Sequence, residues 1–192
     1  MALQGGIAIP AIPLTLSGTG ASSNPPGALV NVSGNNSYAS PITIGSGGAT
    51  IYSASAGNTL TLAGGNISNG SNVLAVAGSG MTAISGLVTG SLTNTGNLVL
   101  SGSYSSGGTS IQTPLWIQGN FAQTSGGTLG LTVTSADLTG SSPALIVTGT
   151  ASLVQVSHIL ASSSATEDWW GRKRRRRHPG SGDSRRERDE KR

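Results

Sequence analysis

Apolar residues along this chain come in pairs separated by one other residue, and each pair runs into a small residue and a glycine. Leu14-Thr15-Leu16-Ser17-Gly18 and Val30-Asn31-Val32-Ser33-Gly34 set the pattern. Leu60-Thr61-Leu62-Ala63-Gly64 and Leu74-Ala75-Val76-Ala77-Gly78 repeat it, as do Leu98-Val99-Leu100-Ser101-Gly102 and Leu145-Ile146-Val147-Thr148-Gly149. A two-residue period puts both apolar side chains of a copy on one face of a strand. The glycine then permits a bend that a Cβ would resist. Each copy therefore predicts a short strand ending in a corner. No apolar 3.6-residue period is sustained, and Gly, Ser, Thr and Asn are too frequent for helices.

Successive glycines of the pattern stand 16, 30, 14, 24 and 47 residues apart, so the unit recurs without a fixed period. A stacked solenoid accommodates this, because each turn buries its apolar face on its neighbours. An antiparallel sandwich is the competing all-β architecture. It calls for two-residue hairpin signals, and Asn69-Gly70 is the one candidate. The expected fold is thus all-β, a right-handed parallel β-helix, with apolar pairs inside and Ser, Thr and Asn facing water or stacked as ladders. Uncharged ladders avoid repulsion between stacked turns. The expected divisions are an N-terminal cap or irregular first rungs over 1–29, β-helical repeats over 30–160 and a disordered Arg-rich tail over 161–192.

Charge sharpens this division. From Met1 to Thr166 the only charged side chain is Asp137, and all eleven Lys and Arg lie between Arg172 and Arg192. The net charge of +4 and the pI near 10.1 describe the tail alone. Disorder goes with low hydrophobicity and high net charge, and the body has neither. The chain has no cysteine, which excludes disulfides and cysteine-based metal sites or nucleophiles. The N-terminus, MALQGGIAIPAIPLTL, lacks a basic region and carries Pro10 and Pro13, so it makes a poor signal peptide. No apolar run reaches the roughly eighteen residues of a membrane-spanning helix.

Little in the body carries chemistry. Glycosidic hydrolysis generally needs two carboxylates at a set separation. Asp137 stands alone and reads as a turn residue in Ser135-Ala136-Asp137-Leu138. Glu167 and Asp168 fall at the start of the tail. His158 has no acidic orienter or nucleophile beside it, and a metal would need several ligands. Gly45-Ser46-Gly47-Gly48 and Gly126-Gly127 lack the lysine and strand-to-helix setting of phosphate loops and read as tight corners. Thr132 and Thr134 resemble one element of an ice-binding array but read as a solvent-facing strand. Trp116 and Phe121 flank Gln118-Gly119-Asn120. They are expected to stack inside, and exposed they would form a glycan- or partner-binding spot. No catalytic, cofactor-binding or metal-binding residue is assigned, and neither a cofactor nor enzymatic activity is expected.

The stretch from Ile84 to Gly108, ISGLVTGSLTNTGNLVLSGSYSSGG, resembles the autotransporter-associated β-strand repeat of bacterial passenger domains. Leu92-Thr93-Asn94-Thr95-Gly96 carries its first part, with Asn94 where lysine is common. Leu98 to Gly102 carries the second part and Tyr104 to Gly108 the third. Val32 to Ile51 is a weaker copy. Trp116 to Leu153 is similar to the passenger stretch that usually precedes the translocator barrel, most specifically at Gly119-Asn120-Phe121 and Gln123 to Leu129. The resemblance spans roughly residues 30 to 153. It implies a β-helical passenger stalk of a type V secretion protein, at the cell surface or secreted. It departs after Leu153, where VQVSHILASSSATEDWW leads into the Arg-rich run and no barrel follows.

Three readings of that run, Arg172 to Arg177, stand side by side. Beside Trp169 and Trp170 it offers phosphate contacts and stacking for nucleic acid or an anionic membrane. It also fits a solvated tail without a partner. A shifted reading frame in a GC-rich gene is the third and favoured reading. The expected function is a structural, adhesive β-helical passenger fragment, with a host or glycan ligand and self-association through the helix ends as partners. The alternatives are a non-catalytic fragment of a carbohydrate-active β-helix, or a nucleic-acid-associated protein acting through its tail.

Overall fold

The computed structural model describes residues 1–20, 26–63, 65–100, 103–106, 109–112, 115–131 and 145–154. Every regular element in them is a strand. The expected tail, together with Thr132, Thr134, Asp137 and His158, lies outside the described residues.

The strands recur in threes. The first turn of chain holds β1 (Ala2–Gln4), β2 (Ala8–Ile9) and β3 (Leu14–Gly18). The second holds β4 (Leu29–Ser33), β5 (Asn36–Tyr38) and the first half of β6 (Ile42–Ser53). The second half of β6 opens the third turn, followed by β7 (Thr59–Ala63) and β8 (Ile67–Ser68). The fourth has β9 (Val73–Ala77), β10 (Met81–Ser85) and a single bridging residue, Val88. In the fifth, β11 (Ser91–Asn94) and β12 (Asn97–Leu100) precede an inserted pair, β13 (Ser103–Ser106) and β14 (Thr109–Gln112), and then β15 (Leu115–Ile117). The sixth comprises β16 (Phe121–Gln123), β17 (Thr128–Leu131) and β18 (Leu145–Val147), and β19 (Ala151–Leu153) begins a seventh.

Strands of equal rank in successive turns pair in parallel, which gives three faces. The first face runs β1-β4-β6-β9-β11-β16-β19 and the second β2-β5-β7-β10-β12-β17. The third joins β3, β6 and β8, continues through the parallel bridges of Val88 to Ile67 and Ile117, and ends with β15 against β18. The chain is a parallel-stranded all-β solenoid. The one antiparallel pair among the described strands is β13 with β14, an insertion between the second and third faces. Asn69-Gly70, the hairpin candidate, instead turns a corner between parallel faces, with Gly70 at φ 59°.

Registered pairing stacks the inward side chains of successive turns in lines. On the second face Leu60, Thr82 and Leu98 align, and so do Leu62, Ile84 and Leu100. On the third, Ile42, Ile67, Val88, Ile117 and Val147 succeed one another. On the first, Leu29, Ile51 and Val76 form one line and Leu74, Leu92 and Phe121 another. These lines meet in one continuous core. Each fully buried Leu or Ile contributes roughly 1.5–3 kcal/mol relative to an exposed one.

The paired-apolar pattern marks strand plus corner, but its copies fall on different faces. Leu14-Leu16 and Leu145-Val147 lie on the third face, Leu60-Leu62 and Leu98-Leu100 on the second, and Leu74-Val76 on the first. That is why the glycine spacing is irregular. Turn length varies as well: bonds between neighbouring turns join residues 22, 25, 19, 29 and 30 apart in sequence. The copy at Val30-Val32 is out of step by one residue. Leu29 and Asn31 are the fully buried positions there, and Val32 is only half-buried.

Glycine is required where corners stack. Gly78 adopts φ +104°, and a Cβ on it would collide with the backbone of Ser53 one turn below. A Cβ on Gly119 would stand 2.6 Å from the carbonyl carbon of Gly90. The glycine clusters expected at corners lie there: Gly47 and Gly48, at φ 85° and 80°, bend β6 from the third face onto the first, and Gly126-Gly127 separates β16 from β17.

Candidate functional site

The described residues include no charged side chain, and no group of three His, Cys, Asp or Glu is found among them. Nor is any helix among them long and apolar enough to cross a membrane. The polar chemistry rests on amides and hydroxyls.

Two amide clusters lie inside the solenoid. Near its start, Asn31 Nδ2 donates to Ser53 Oγ at 3.2 Å, and Asn36 Nδ2 donates to Asn31 Oδ1 and to the Ser33 carbonyl. Asn36 Oδ1 in turn accepts the Ile7 N–H at 2.7 Å. Further along, Asn94 Nδ2 donates to Gln123 Oε1 at 2.7 Å and to the Thr128 carbonyl at 2.8 Å, while its Oδ1 accepts the Gly96 N–H. All five side chains are buried. Each cluster sits where the first face turns into the second, and it meets backbone groups that the corner takes out of the ladder. Buried polar groups need such partners. Two buried atoms have none among the described residues: Asn69 Oδ1 and Thr82 Oγ1.

Tyr38 has a shifted pKa. Its ring packs in the core, and burial raises its pKa above the ordinary 10.0, with a hydrogen bond from Ser40 opposing the rise. Its hydroxyl donates to the Ile12 carbonyl.

A groove of about 330 Å³ runs along the second face. Thr59, Met81, Asn97 and Thr128 line it as register partners, over a floor that includes Val99 and Gly130. Its polar wall is engaged within the chain. Thr128 Oγ1 donates to Asn97 Oδ1 at 2.7 Å, Asn97 Nδ2 donates to the Ser79 carbonyl at 2.7 Å, and Ser79 Oγ donates to the Ala54 carbonyl at 2.6 Å. These bonds tie four turns together, so the groove reads first as a consolidated edge of the solenoid.

Trp116 and Phe121 separate. Phe121 is buried, as expected, at 1% exposure, but Trp116 is 41% exposed. Leu115 and Ile117 occupy the inward positions of β15, and alternation sends the residue between them outward. The expectation that both rings stack inside is corrected for Trp116.

No local pattern announces the groove, and the amides are legible only in part. Asn94 sits in the slot two residues after Leu92, where the pattern places an apolar residue. An amide in that slot is the readable signal of an interior hydrogen-bonded corner. Compared with protein-family models, with curated proteins and with solved structures, the chain matches none.

Proposed function

We propose that the chain is a right-handed parallel β-helix serving as a structural, adhesive stalk, surface-exposed or secreted, of an autotransporter-like protein. The observation that carries this reading is the stacking of six successive turns on three parallel faces, with no charged side chain among the described residues. Such a rod acts by shape and by what its sides present, and the reading includes no catalytic step. Right-handedness rests on the general preference of parallel strand connections, about 98% of which are right-handed. The resemblance between Ile84 and Gly108 supports the passenger assignment, because its first two parts fall on β11 and β12, consecutive strands of one turn.

The test is where the protein resides in the cells that produce it. Intact cells treated with an added protease, followed by fractionation, should show the chain at the surface or in the medium. A chain confined to the cytoplasm and untouched by the protease would overturn the assignment.

A further inference from the structure

We infer that the outer side of the third face is a docking surface for a neutral, extended polysaccharide lying along the solenoid axis. This inference deepens the adhesive reading and rests on it, supplying the ligand class.

Two columns define the surface. Register places Thr15 beside Thr43, and Thr43 beside Ser68. The column continues through Thr89, Gln118 and Thr148, whose N–H groups donate to the carbonyls of Ile67, Val88 and Ile117 in the turns below. Thr89 is half-buried and the other five are exposed. The result is a straight row of hydroxyls, with one amide, at one polar side chain per turn. The turns are about 4.8 Å apart, the spacing of paired strands. Two residues earlier on the same strands, Leu87, Trp116 and Ile146 form a second, apolar column. Trp116 pairs with Ile146, and its carbonyl accepts the Val88 N–H at 2.9 Å, which sets Leu87 beside the indole.

The occupant follows from this chemistry. No described side chain is charged, so an ionic ligand docking here would lose hydration without gaining a counter-charge. Hydroxyls both donate and accept, and an amide does the same. A regular row of them suits a ligand that is itself a regular row of hydroxyls. The contiguous Leu87, Trp116 and Ile146 strip offers an apolar platform for the C–H face of a sugar ring. A neutral glycan presents both characters on one molecule. A peptide strand would instead seek an open backbone edge, and on this face the backbone groups are engaged between turns. The second-face groove competes poorly, because Asn97 and Ser79 already spend their hydrogen bonds within the chain.

The test is affinity electrophoresis of the purified full chain in gels cast with hydroxyethyl cellulose, galactomannan or soluble starch, with an acidic polysaccharide as comparison. Retardation by at least one neutral polymer, unchanged by salt, is expected. Trp116→Ala should weaken it roughly tenfold, the order expected for an aromatic platform. Thr43→Val, an exposed member of the row, should weaken it about threefold, as for one hydrogen bond. Thr61→Val, on the outside of the second face, should leave it unchanged. Circular dichroism of each variant confirms the fold. The inference is overturned if no neutral polymer retards the chain, or if Trp116→Ala binds as well as the parent. It is equally overturned if only the acidic polymer binds and salt abolishes it, since that signature belongs to the basic tail. None of these outcomes bears on cellular location, so the stalk assignment stands or falls separately.

Discussion

One interior column changes chemistry along the molecule. Leu29, Ile51 and Val76 stack as aliphatics on the first face, and the same line continues as Asn94 and then Gln123. All are buried. The aliphatic half is held by area removed from water, which is non-directional. The amide half is held by bonds with fixed partners, and these also cap the corner leading into β12 and β17. Aliphatic stacks specify that turns pack; amide pairs specify which atoms must face each other. The Asn94–Gln123 pair joins residues 29 apart, whereas the Asn31–Ser53 bond of the first cluster spans 22, so amide corners occur in both longer and shorter turns.

The largest effect should come from the aliphatic half. Ile51→Ala should cost about 2–5 kcal/mol, because it opens a cavity in a tightly packed line; urea denaturation monitored by circular dichroism reads it. In the amide half, Asn94→Ala should cost about 1–3 kcal/mol, since Gln123 Oε1 and the Thr128 carbonyl lose their donor. The double change Asn94→Leu with Gln123→Leu should recover only the part of that loss due to Gln123, because the Thr128 carbonyl and the Gly96 N–H stay without their partner. A double variant as stable as the parent would show that these backbone groups do not depend on Asn94.

A smaller, opposite effect isolates the cost of an unmet polar group. Thr82 lies between Leu60 and Leu98 in the second-face column, and its buried hydroxyl has no partner among the described residues. Thr82→Val should raise stability by about 1 kcal/mol, read from the denaturation midpoint. The smallest effect is Tyr38. Its folded pKa is raised above the unfolded 10.0 chiefly by burial, so the folded state keeps a proton that the unfolded state loses. This contribution is complete below pH 10 and is lost as pH rises through the folded pKa. Tyr38→Phe should flatten stability in that alkaline window while leaving neutral pH behaviour little changed.

Much of the architecture was legible because alternation and corner glycines are local signals. Leu60-Leu62, Leu74-Val76 and Leu98-Leu100 announced strands with two inward side chains, and Gly47-Gly48 announced a corner. The assignment of strands to faces was not legible, because it depends on how many residues each loop holds between them. Val30-Val32 is out of step by one position, since Asn31 is accepted inside through Ser53, Asn36 and the Gly34 carbonyl, partners that local pattern does not reveal. Burial habit puts Trp116 inside, whereas Leu115 and Ile117 on either side claim the inward slots. The outer columns of the third face emerge only once register aligns residues from six turns.

Parallel stacking of neighbouring turns is tested most directly by cross-linking, which the absence of native cysteine makes clean. Thr61 and Ala83 are register partners on the outside of the second face, and Val99 is the partner of Ala83 one turn further. Partners in adjacent strands stand about 4.8 Å apart, within the roughly 4.4–6.8 Å between Cα atoms that a disulfide spans, and residues two strands apart lie beyond it. The Thr61→Cys with Ala83→Cys variant should oxidise to an intramolecular disulfide, and Thr61→Cys with Val99→Cys should not. A 61–99 bond forming as readily, or a 61–83 pair that stays reduced in the folded protein, would contradict the parallel solenoid.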